Sequence, residues 1–242
     1  MKIITWNCNM AFRKKFETII SLQPDVLVLQ ECEGEAKLAE ALKDVPVNQI
    51  FWYGNNPHKG TAVISFRDAE LAPKHEHNPE YEFIVPYTLQ VRNKTINLYN
   101  IWAMPHQTDR KKDYVGQIYG ALHYYAEALQ NESILIGDFN SNAIWDNKNK
   151  IGNHEDIVRI LADHHIHSLY HQKNNIIPGK EPDPTLFLLK NPDKPYHMDY
   201  CFASQSLISK KTQIEVGAHK DWIKLSDHMP LIIDNLGPSR SV

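Results

Sequence analysis

The strongest chemical signal in the sequence is a carboxylate and an amide that follow a short apolar run. Ile134–Ile136 is followed by Gly137 and then by Asp138 and Asn140. An apolar run bounded by polar residues is typical of a buried strand, and ligands of layered α/β proteins bind where strands end. Two positions apart in an extended segment, Asp138 and Asn140 would face one pocket, which suits a metal-bound phosphate. An ordinary turn is the alternative, since Gly, Asp and Asn favour turns.

Other strand-like segments also end beside polar or ionisable side chains. The apolar run Val26–Leu29 leads into Glu31, and β-branched and aromatic residues before Asn7 predict a strand there. Pro230 favours an extended conformation for the residue before it, just after an acid and a histidine. The candidates that share such a position are Asn7, Asn9, Glu31, Asp199, Asp227 and His228.

The elements that must position these residues form two strand-rich segments that each alternate with helices. Helical periodicity predicts helices at about 11–22, 36–42 and 114–129 and another around 157–161. Strands are predicted at 2–6, 26–29, 49–53, 61–66, 81–91, 95–103, 134–136, 185–189 and 196–203, and after residue 228. Two mixed sheets packed face to face, with helices outside, would account for this α/β pattern.

Length and composition favour a single domain and a cytoplasmic location. We expect one domain over residues 1–236 and a short tail at 237–242, because no clear linker or repeat interrupts the 242-residue chain. A net charge of −3 provides no global basic field. Three scattered cysteines argue against a disulfide framework or a cysteine zinc site. No apolar window approaches about 18 residues, so we expect a cytoplasmic protein with no membrane partner.

Five short blocks, in one order along the chain, carry a family resemblance. They are Ile4–Asn7, Asp25–Glu31, Gly137–Asn140, His197–Tyr200 and Ser226–His228. The chain resembles the endonuclease/exonuclease/phosphatase superfamily, which is similar in fold to pancreatic deoxyribonuclease and exonuclease III. The resemblance covers essentially the whole chain and implies a four-layer α/β/β/α sandwich of two mixed sheets with outer helices. It also implies cleavage of phosphate esters with Mg²⁺ or Mn²⁺, with one ion or two left open.

The resemblance places the metal at Glu31, with Asn7 orienting that site and Asp227 completing or flanking it. The chemistry agrees, because Mg²⁺ prefers oxygen ligands and takes only one or two protein carboxylates plus water and substrate oxygens. Asn9 occupies a place where some relatives carry a second carboxylate on the metal side.

By the same resemblance, four residues act on the phosphate and the water. His228 would contact the scissile phosphate or transfer a proton, while Asp199 accepts its other ring proton and fixes the tautomer. Asp138 would orient or activate the attacking water, or assist the leaving oxygen. Asn140 would donate to a non-bridging oxygen, and loss of such a donor typically costs roughly 10²–10³ in rate.

One position departs from the family pattern. Many relatives carry a His or Tyr near the end of the strand matched by residues 98–103, and Trp102 falls close to that place. An indole has one N–H donor and cannot shuttle a proton at neutral pH. His106 or Tyr99 could substitute through a shifted loop. For His197, packing and substrate contact are both open, and the remaining histidines are expected at the surface.

A nuclease or phosphodiesterase is the function that the sequence favours, with a phosphomonoester substrate also open. DNA or RNA would require cationic loops at the edge of the sandwich. Candidates are Lys59, Arg110–Lys112, Lys148 and Lys150. The alternative is a catalytically inert phosphate- or nucleic-acid-binding protein that kept the fold.

Overall fold

Strands and helices alternate along the chain in a computed structural model that describes residues 1–74, 76–106, 109–147 and 150–237. The strands are β1 (Ile3–Asn7), β2 (Val26–Cys32), β3 (Val47–Asn56), β4 (Lys59–Phe66), β5 (Ala69–Pro73), β6 (Ile84–Val91), β7 (Lys94–Trp102), β8 (Ser133–Asp138), β9 (Ile166–Ser168), β10 (Leu186–Phe187), β11 (Pro195–Tyr196), β12 (Asp199–Ser204), β13 (Gln213–Val216) and β14 (Leu231–Asp234). The α-helices are α1 (Phe16–Ile20), α2 (Glu35–Ala41), α3 (Val115–Tyr124), α4 (His154–Asp163), α5 (Leu169–Asn174) and α6 (His219–Trp222). Of the predicted tail, only Gly237 lies within the described residues.

The strands form two mixed six-stranded sheets and a small ribbon. The first sheet has the order β13-β14-β1-β2-β4-β3, the second has the order β5-β6-β7-β8-β12-β9, and β10 pairs with β11. In each sheet one central pair is parallel, β1 with β2 in the first and β7 with β8 in the second. Parallel central strands buried on both faces explain the continuous apolar runs in the sequence.

Alternation of side chains along the central strands divides the core into layers. Ile3 and Val28 face the cluster between the two sheets, whereas Ile4 and Leu29 face the helices outside the first sheet. Helices α1, α2 and α6 cover that outer face, and α3 and α4 cover the outer face of the second sheet. The predicted four-layer α/β/β/α sandwich is therefore confirmed.

Buried amides join the two sheets within the central layer. Asn100 on β7 donates through Nδ2 to the backbone oxygens of Leu29 at 3.2 Å and Ala62 at 3.1 Å. Gln30 donates through Nε2 to Oδ1 of Asn100 at 2.9 Å. Because a buried polar group is costly unless it is paired, these bonds fix how the sheets sit on each other. They therefore set the positions of the strand ends that follow.

Local boundaries differ from the predicted ones where the chain turns. The predicted helix at 11–22 is a 3₁₀ turn at Phe12–Lys14 followed by the short α1, because Lys15 between them has a non-helical backbone with φ −148° and ψ 7°. The helix predicted at 114–129 ends at Tyr124. Within the described residues, no helix is both long and apolar enough to cross a membrane.

Candidate active site

Three central strands bring polar side chains to the same end of the layer between the sheets. Asp138 ends β8, Asp199 begins the antiparallel neighbour β12, and their Cα atoms pair directly in the register. Asn7 ends β1 in the facing sheet. In these strands the three residues share the alternation of core residues such as Ile3 and Ile136, so they lie on the inner faces. Two carboxylates and an amide thus converge at one end of the core.

Gly137 allows the close strand contact that places Asp138. Its φ is 140°, and a Cβ atom added there would lie 2.0 Å from the backbone oxygen of Ile101 on β7. Any side chain would push β7 and β8 apart, because that distance is far inside van der Waals contact. The abrupt end of the apolar run at glycine therefore reflects this close approach between neighbouring strands.

Asp138 is a buried carboxylate held by three hydrogen bonds. Its Oδ2 accepts from Nδ2 of Asn7 at 2.9 Å and from Nδ2 of Asn140 at 3.0 Å, and its Oδ1 accepts from the backbone N of Asn140 at 2.9 Å. Nδ2 of Asn140 also donates to the backbone oxygen of Ala103 at 2.9 Å. Asn140 therefore orients Asp138, and both of its side-chain hydrogens are engaged. A substrate oxygen would have to replace one of these two acceptors.

His228 forms the contact with Asp199 that the sequence predicted. Nδ1 of His228 lies 2.9 Å from Oδ2 of Asp199. The histidine backbone is also fixed, since its oxygen accepts from Nε1 of Trp6 at 3.0 Å and its N donates to Oγ of Ser226 at 3.0 Å. On the other side, Oγ1 of Thr185 accepts from the backbone N of Asp199 at 3.0 Å. Both members of the pair are therefore locked by the surrounding fold.

The electrostatics of this buried group favour an imidazolium at His228. Burial lowers the pKa of His228, but the carboxylates of Asp199 and Asp138 raise it by more, so its pKa is raised overall. Burial is also the main reason that the pKa of Asp138 is raised. Nε2 of His228 lies 3.9 Å from Oδ2 of Asp138, which is too long for a hydrogen bond. The Nε2–H group is thus a donor available to a substrate oxygen.

Glu31 reaches the site because β2 contains a bulge. The pairing of β2 with β4 shifts between Gln30 and Cys32, and Glu31 has a left-handed φ of 58°. In a regular strand Glu31 would face away from the inner side that holds Gln30, and bulges redirect side chains in this way. Oε1 of Glu31 accepts from Nδ2 of Asn7 at 3.4 Å. Asn7 therefore bridges Glu31 and Asp138.

The oxygen donors near Glu31 fit a hard divalent cation. Glu31 is partly exposed, and its Oε2 already has a cationic partner, Nζ of Lys59 at 3.1 Å. Asp227 is also partly exposed, and its Oδ1 accepts from Nδ2 of Asn9 at 2.8 Å. One or two carboxylates with room for water and substrate oxygens match the usual Mg²⁺ site. Asn7 turns its nitrogen to Glu31, so in this arrangement it orients the carboxylate.

A more compact group of ionisable side chains lies deeper. In the part of the chain that the structure describes, Asp138, Asp199 and His228 are the group of three whose potential ligand atoms lie within 4.8 Å of one another. All three are buried, and the hydrogen bond between His228 and Asp199 already uses one nitrogen and one oxygen. This group is therefore better suited to moving protons than to enclosing a metal ion.

Trp102 lies at the end of β7, where it pairs in parallel register with Asp138. Its ring is buried and packs on Phe83 with a centroid distance of 4.7 Å. Tyr99 packs against Tyr125 in the helix-side core at 5.3 Å and is therefore away from the site. Nδ1 of His106 accepts from the backbone N of Asp109 at 3.0 Å, which ties that ring into its own loop. Neither side chain stands where Trp102 does.

Among the histidines that the structure describes, the expectation of a surface position is wrong for two, and His75 lies outside the described residues. His154 and His171 are buried, as is His197, whose Nδ1 lies 2.7 Å from the backbone oxygen of Asp183. Nε2 of His171 lies 2.8 Å from Oε1 of Glu181. His197 is thus a packed residue. The partners of His197 and His171 are 14 and 10 positions away, which is not the spacing of neighbours on one helix or strand, so periodicity gave no sign that these histidines are buried.

The cationic candidates separate into one site residue and several surface residues. Lys59 contacts Glu31, whereas Lys112 pairs with Glu80 and Lys150 is exposed. Lys148 lies outside the described residues. Sequence reasoning missed Thr185, Ser226 and Trp6 as supports of the buried pair. The bond between Trp6 and His228 joins residues 222 positions apart, which leaves no local signal, whereas Ser226 is only two residues from His228 and its position was the available signal.

Comparison with known proteins identifies one family by sequence and similar folds among solved structures. A sequence profile of the Endonuclease/Exonuclease/phosphatase family matches residues 4–228. No curated protein matches significantly. Solved structures with a similar fold include an AP endonuclease from Archaeoglobus fulgidus, with a TM-score of 0.68 and 16% identity over 96% of this chain and 98% of that chain. A 3′-5′ exonuclease from Neisseria meningitidis has a TM-score of 0.66 and 18% identity over 97% and 99%. A 3′ phosphatase from Neisseria, bound to a product DNA hairpin, has a TM-score of 0.65 and 17% identity over 97% and 98%.

Proposed function

The chain belongs to the endonuclease/exonuclease/phosphatase family, and from this we propose that it is a divalent-metal-dependent phosphoesterase that acts mainly on phosphodiesters. The observation that carries the proposal is the buried pair of Asp199 and His228 beside Asp138. A binding protein has no evident use for a carboxylate-supported imidazolium next to a second carboxylate. Proton transfer at a phosphate is the chemistry that such a group can perform.

In the proposed reaction, water attacks phosphorus and the bond to the leaving oxygen breaks. The raised pKa of Asp138 suits it either to take a proton from the water or to return one to the leaving oxygen near neutral pH. The Nε2–H group of His228 donates to a non-bridging oxygen as negative charge develops. Asn7 and Asn140 hold the Asp138 carboxylate in one orientation throughout.

The metal would be held by Glu31, with Asp227 beside it and Asn7 orienting the Glu31 carboxylate. When bound, Mg²⁺ or Mn²⁺ supplies Lewis-acid stabilisation of the charge on the phosphate oxygens. Of the protein groups, Glu31 offers the partly exposed oxygens that such an ion can reach from solvent.

A pair of aromatic rings supports a nucleic-acid substrate. Trp145 follows Asn140 by a short turn, Tyr196 precedes Asp199, and their ring centroids lie 5.1 Å apart. Trp145 is 50% exposed, so one face of the pair can receive another flat ring. Stacking of bases on aromatic side chains binds single-stranded nucleic acid with little sequence preference. The DNA-directed enzymes among the similar folds agree with this substrate class.

One observation favours the alternative of an inert binding protein. Trp102 provides no proton-transfer group where many relatives have His or Tyr. The presence of Asp138, Asp199 and His228 in hydrogen-bonding or near-contact geometry weighs against that alternative, because a binding site alone does not require this arrangement.

The test is Mg²⁺- and Mn²⁺-dependent hydrolysis of bis(p-nitrophenyl) phosphate by the wild type and by Asp138→Asn and His228→Ala. We expect turnover that EDTA abolishes and that both substitutions reduce by about 10²–10⁴. The same comparison with DNA, RNA and abasic DNA identifies the substrate. Wild-type rates no higher than those of the two variants on every substrate would refute the enzymatic function.

A further inference from the structure

The side chain of Lys59 lies between Glu31 of the first sheet and Trp102 of the second. Its Nζ is 3.1 Å from Oε2 of Glu31 in the first sheet and 4.9 Å from the centroid of the Trp102 ring in the second. Trp102 is the register partner of Asp138. Lys59 therefore places a positive charge between the carboxylate proposed to hold the metal and the strand pair that presents Asp138.

The backbone at Lys59 and the ring of Trp102 are both fixed by packing. Lys59 is the first residue of β4, and a Cβ atom on the next residue, Gly60, would lie 2.5 Å from both the Trp52 ring and the backbone oxygen of Tyr53. The Trp102 ring is buried against Phe83. The backbone at Lys59 and the aromatic ring beside it are thus rigid, whereas the ammonium group at the end of a flexible stem can move.

The two contacts of the ammonium group are individually weak. The side chains of Lys59 and Glu31 are 36% and 20% exposed, and partly exposed ion pairs contribute little. A cation–π contact at a partly exposed site is also modest. A divalent cation at Glu31 would repel the ammonium group and compete for the same carboxylate. Lys59 would then leave Glu31 but remain close to Trp102, within reach of an anion in the site.

We propose that Lys59 alternates between Glu31 and the scissile phosphate, and so acts both as an internal counter-ion and as a substrate-binding residue. The proposal rests on the proposed phosphoesterase function. In the protein without a divalent cation, Lys59 neutralises Glu31. When the cation engages Glu31, the ammonium group binds a non-bridging phosphate oxygen at the end of β7, where the uncharged indole of Trp102 provides no cation.

This dual role predicts two effects of opposite direction for Lys59→Met. The substitution keeps the apolar stem on Trp102 and removes the charge. Without substrate, the Kd for Mn²⁺, measured by the loss of the free-ion EPR signal, should fall about 3- to 10-fold because the competing cation is gone. Under saturating metal, kcat for bis(p-nitrophenyl) phosphate should fall about 10²-fold because a contact to the charged phosphate is lost.

Lys94→Met is the matched control. Lys94 pairs with Glu132 at the opposite end of β7, and their side chains are 41% and 21% exposed, close to the values for Lys59 and Glu31. It should leave both the Mn²⁺ affinity and kcat at wild-type values. Lys59→Arg, which keeps the charge, is the second variant and should keep the wild-type Kd for Mn²⁺.

The outcomes separate this inference from the function on which it rests. A Kd for Mn²⁺ in Lys59→Met equal to that in Lys94→Met overturns the counter-ion role, and an unchanged kcat overturns the phosphate contact. Either result with an active wild type leaves the phosphoesterase function standing. If the wild type hydrolyses no ester, the function and the phosphate contact both fail. The Mn²⁺ titration then still decides whether Lys59 competes for Glu31.

Discussion

Nδ1 of His228 lies 2.9 Å from Oδ2 of Asp199, a residue 29 positions earlier in the chain. The other ring nitrogen is directed toward Asp138 without bonding to it. One carboxylate thus fixes the tautomer and the charge of the imidazole, and the second lies beside the proton that the imidazole can offer. This arrangement should determine the pH dependence of activity and of stability, whereas metal binding and substrate binding should depend on Glu31 and Trp145 nearby.

Asp199→Asn should move the alkaline limb of the pH–rate profile to lower pH. The Asp199 carboxylate helps to raise the pKa of His228, so its removal lowers that pKa. If the imidazolium is the active form, activity is lost as the pH rises through the lower value. The measurement is kcat/KM for bis(p-nitrophenyl) phosphate against pH. An alkaline limb at the wild-type position would mean that His228 does not act as a cation.

Asp138→Asn should lose about 10²–10⁴ in turnover and yet gain thermal stability relative to the wild type as the pH rises. Burial raises the pKa of Asp138, so its ionised form is disfavoured in the folded protein. The wild type therefore loses stability as the pH increases through the raised pKa, and an amide does not. The Tm difference, measured in EDTA, should be larger at about pH 8 than at about pH 5. A difference that does not change with pH would contradict this account.

Glu31→Gln should weaken metal binding without unfolding the protein. The partly exposed Glu31 carboxylate is the proposed ligand, and an amide lacks the charge that attracts Mg²⁺. We expect at least about a 10-fold higher Mn²⁺ Kd and metal requirement for activity. Glu132→Gln is the control, since Glu132 forms a similar ion pair with Lys94 away from the site. Equal Mn²⁺ affinities in the two variants would exclude Glu31 as the ligand.

Trp145→Ala should raise KM for single-stranded oligonucleotides but not for bis(p-nitrophenyl) phosphate. Loss of a stacked base typically weakens binding by about 1–3 kcal/mol, which corresponds to at least about a 5-fold change in KM. Tyr124→Ala is a matched control, because Tyr124 on α3 is 52% exposed compared with 50% for Trp145. If both variants bind the oligonucleotide like the wild type, the Trp145–Tyr196 pair is not a stacking platform.

The layered fold could be predicted because it depends on patterns that are local in the sequence. Apolar runs such as Val26–Leu29 are long enough for buried strands, and the helices between them have one apolar face. The strands at the edges of the sheets and the irregular segments were less predictable. Ala69–Pro73 pairs as β5 through only one neighbour, and Leu189 has a left-handed φ of 57° just after the two-residue β10. Such elements are stabilised by contacts with distant segments and have weak patterns of their own.

The sequence alone determined which side chains stand at strand ends, because strand boundaries follow the change from apolar to polar residues. It thereby identified Asp138 with Asn140, and the family resemblance predicted the contact between Asp199 and His228. Only the tertiary structure decided that the β2 bulge turns Glu31 toward Asn7 and that Lys59 lies over Trp102. The contact of Lys59 with Trp102 joins the two sheets, and the contact of Glu31 with Asn7 depends on a local bulge between neighbouring strands. Neither the packing of the sheets nor the bulge is encoded in a local sequence pattern.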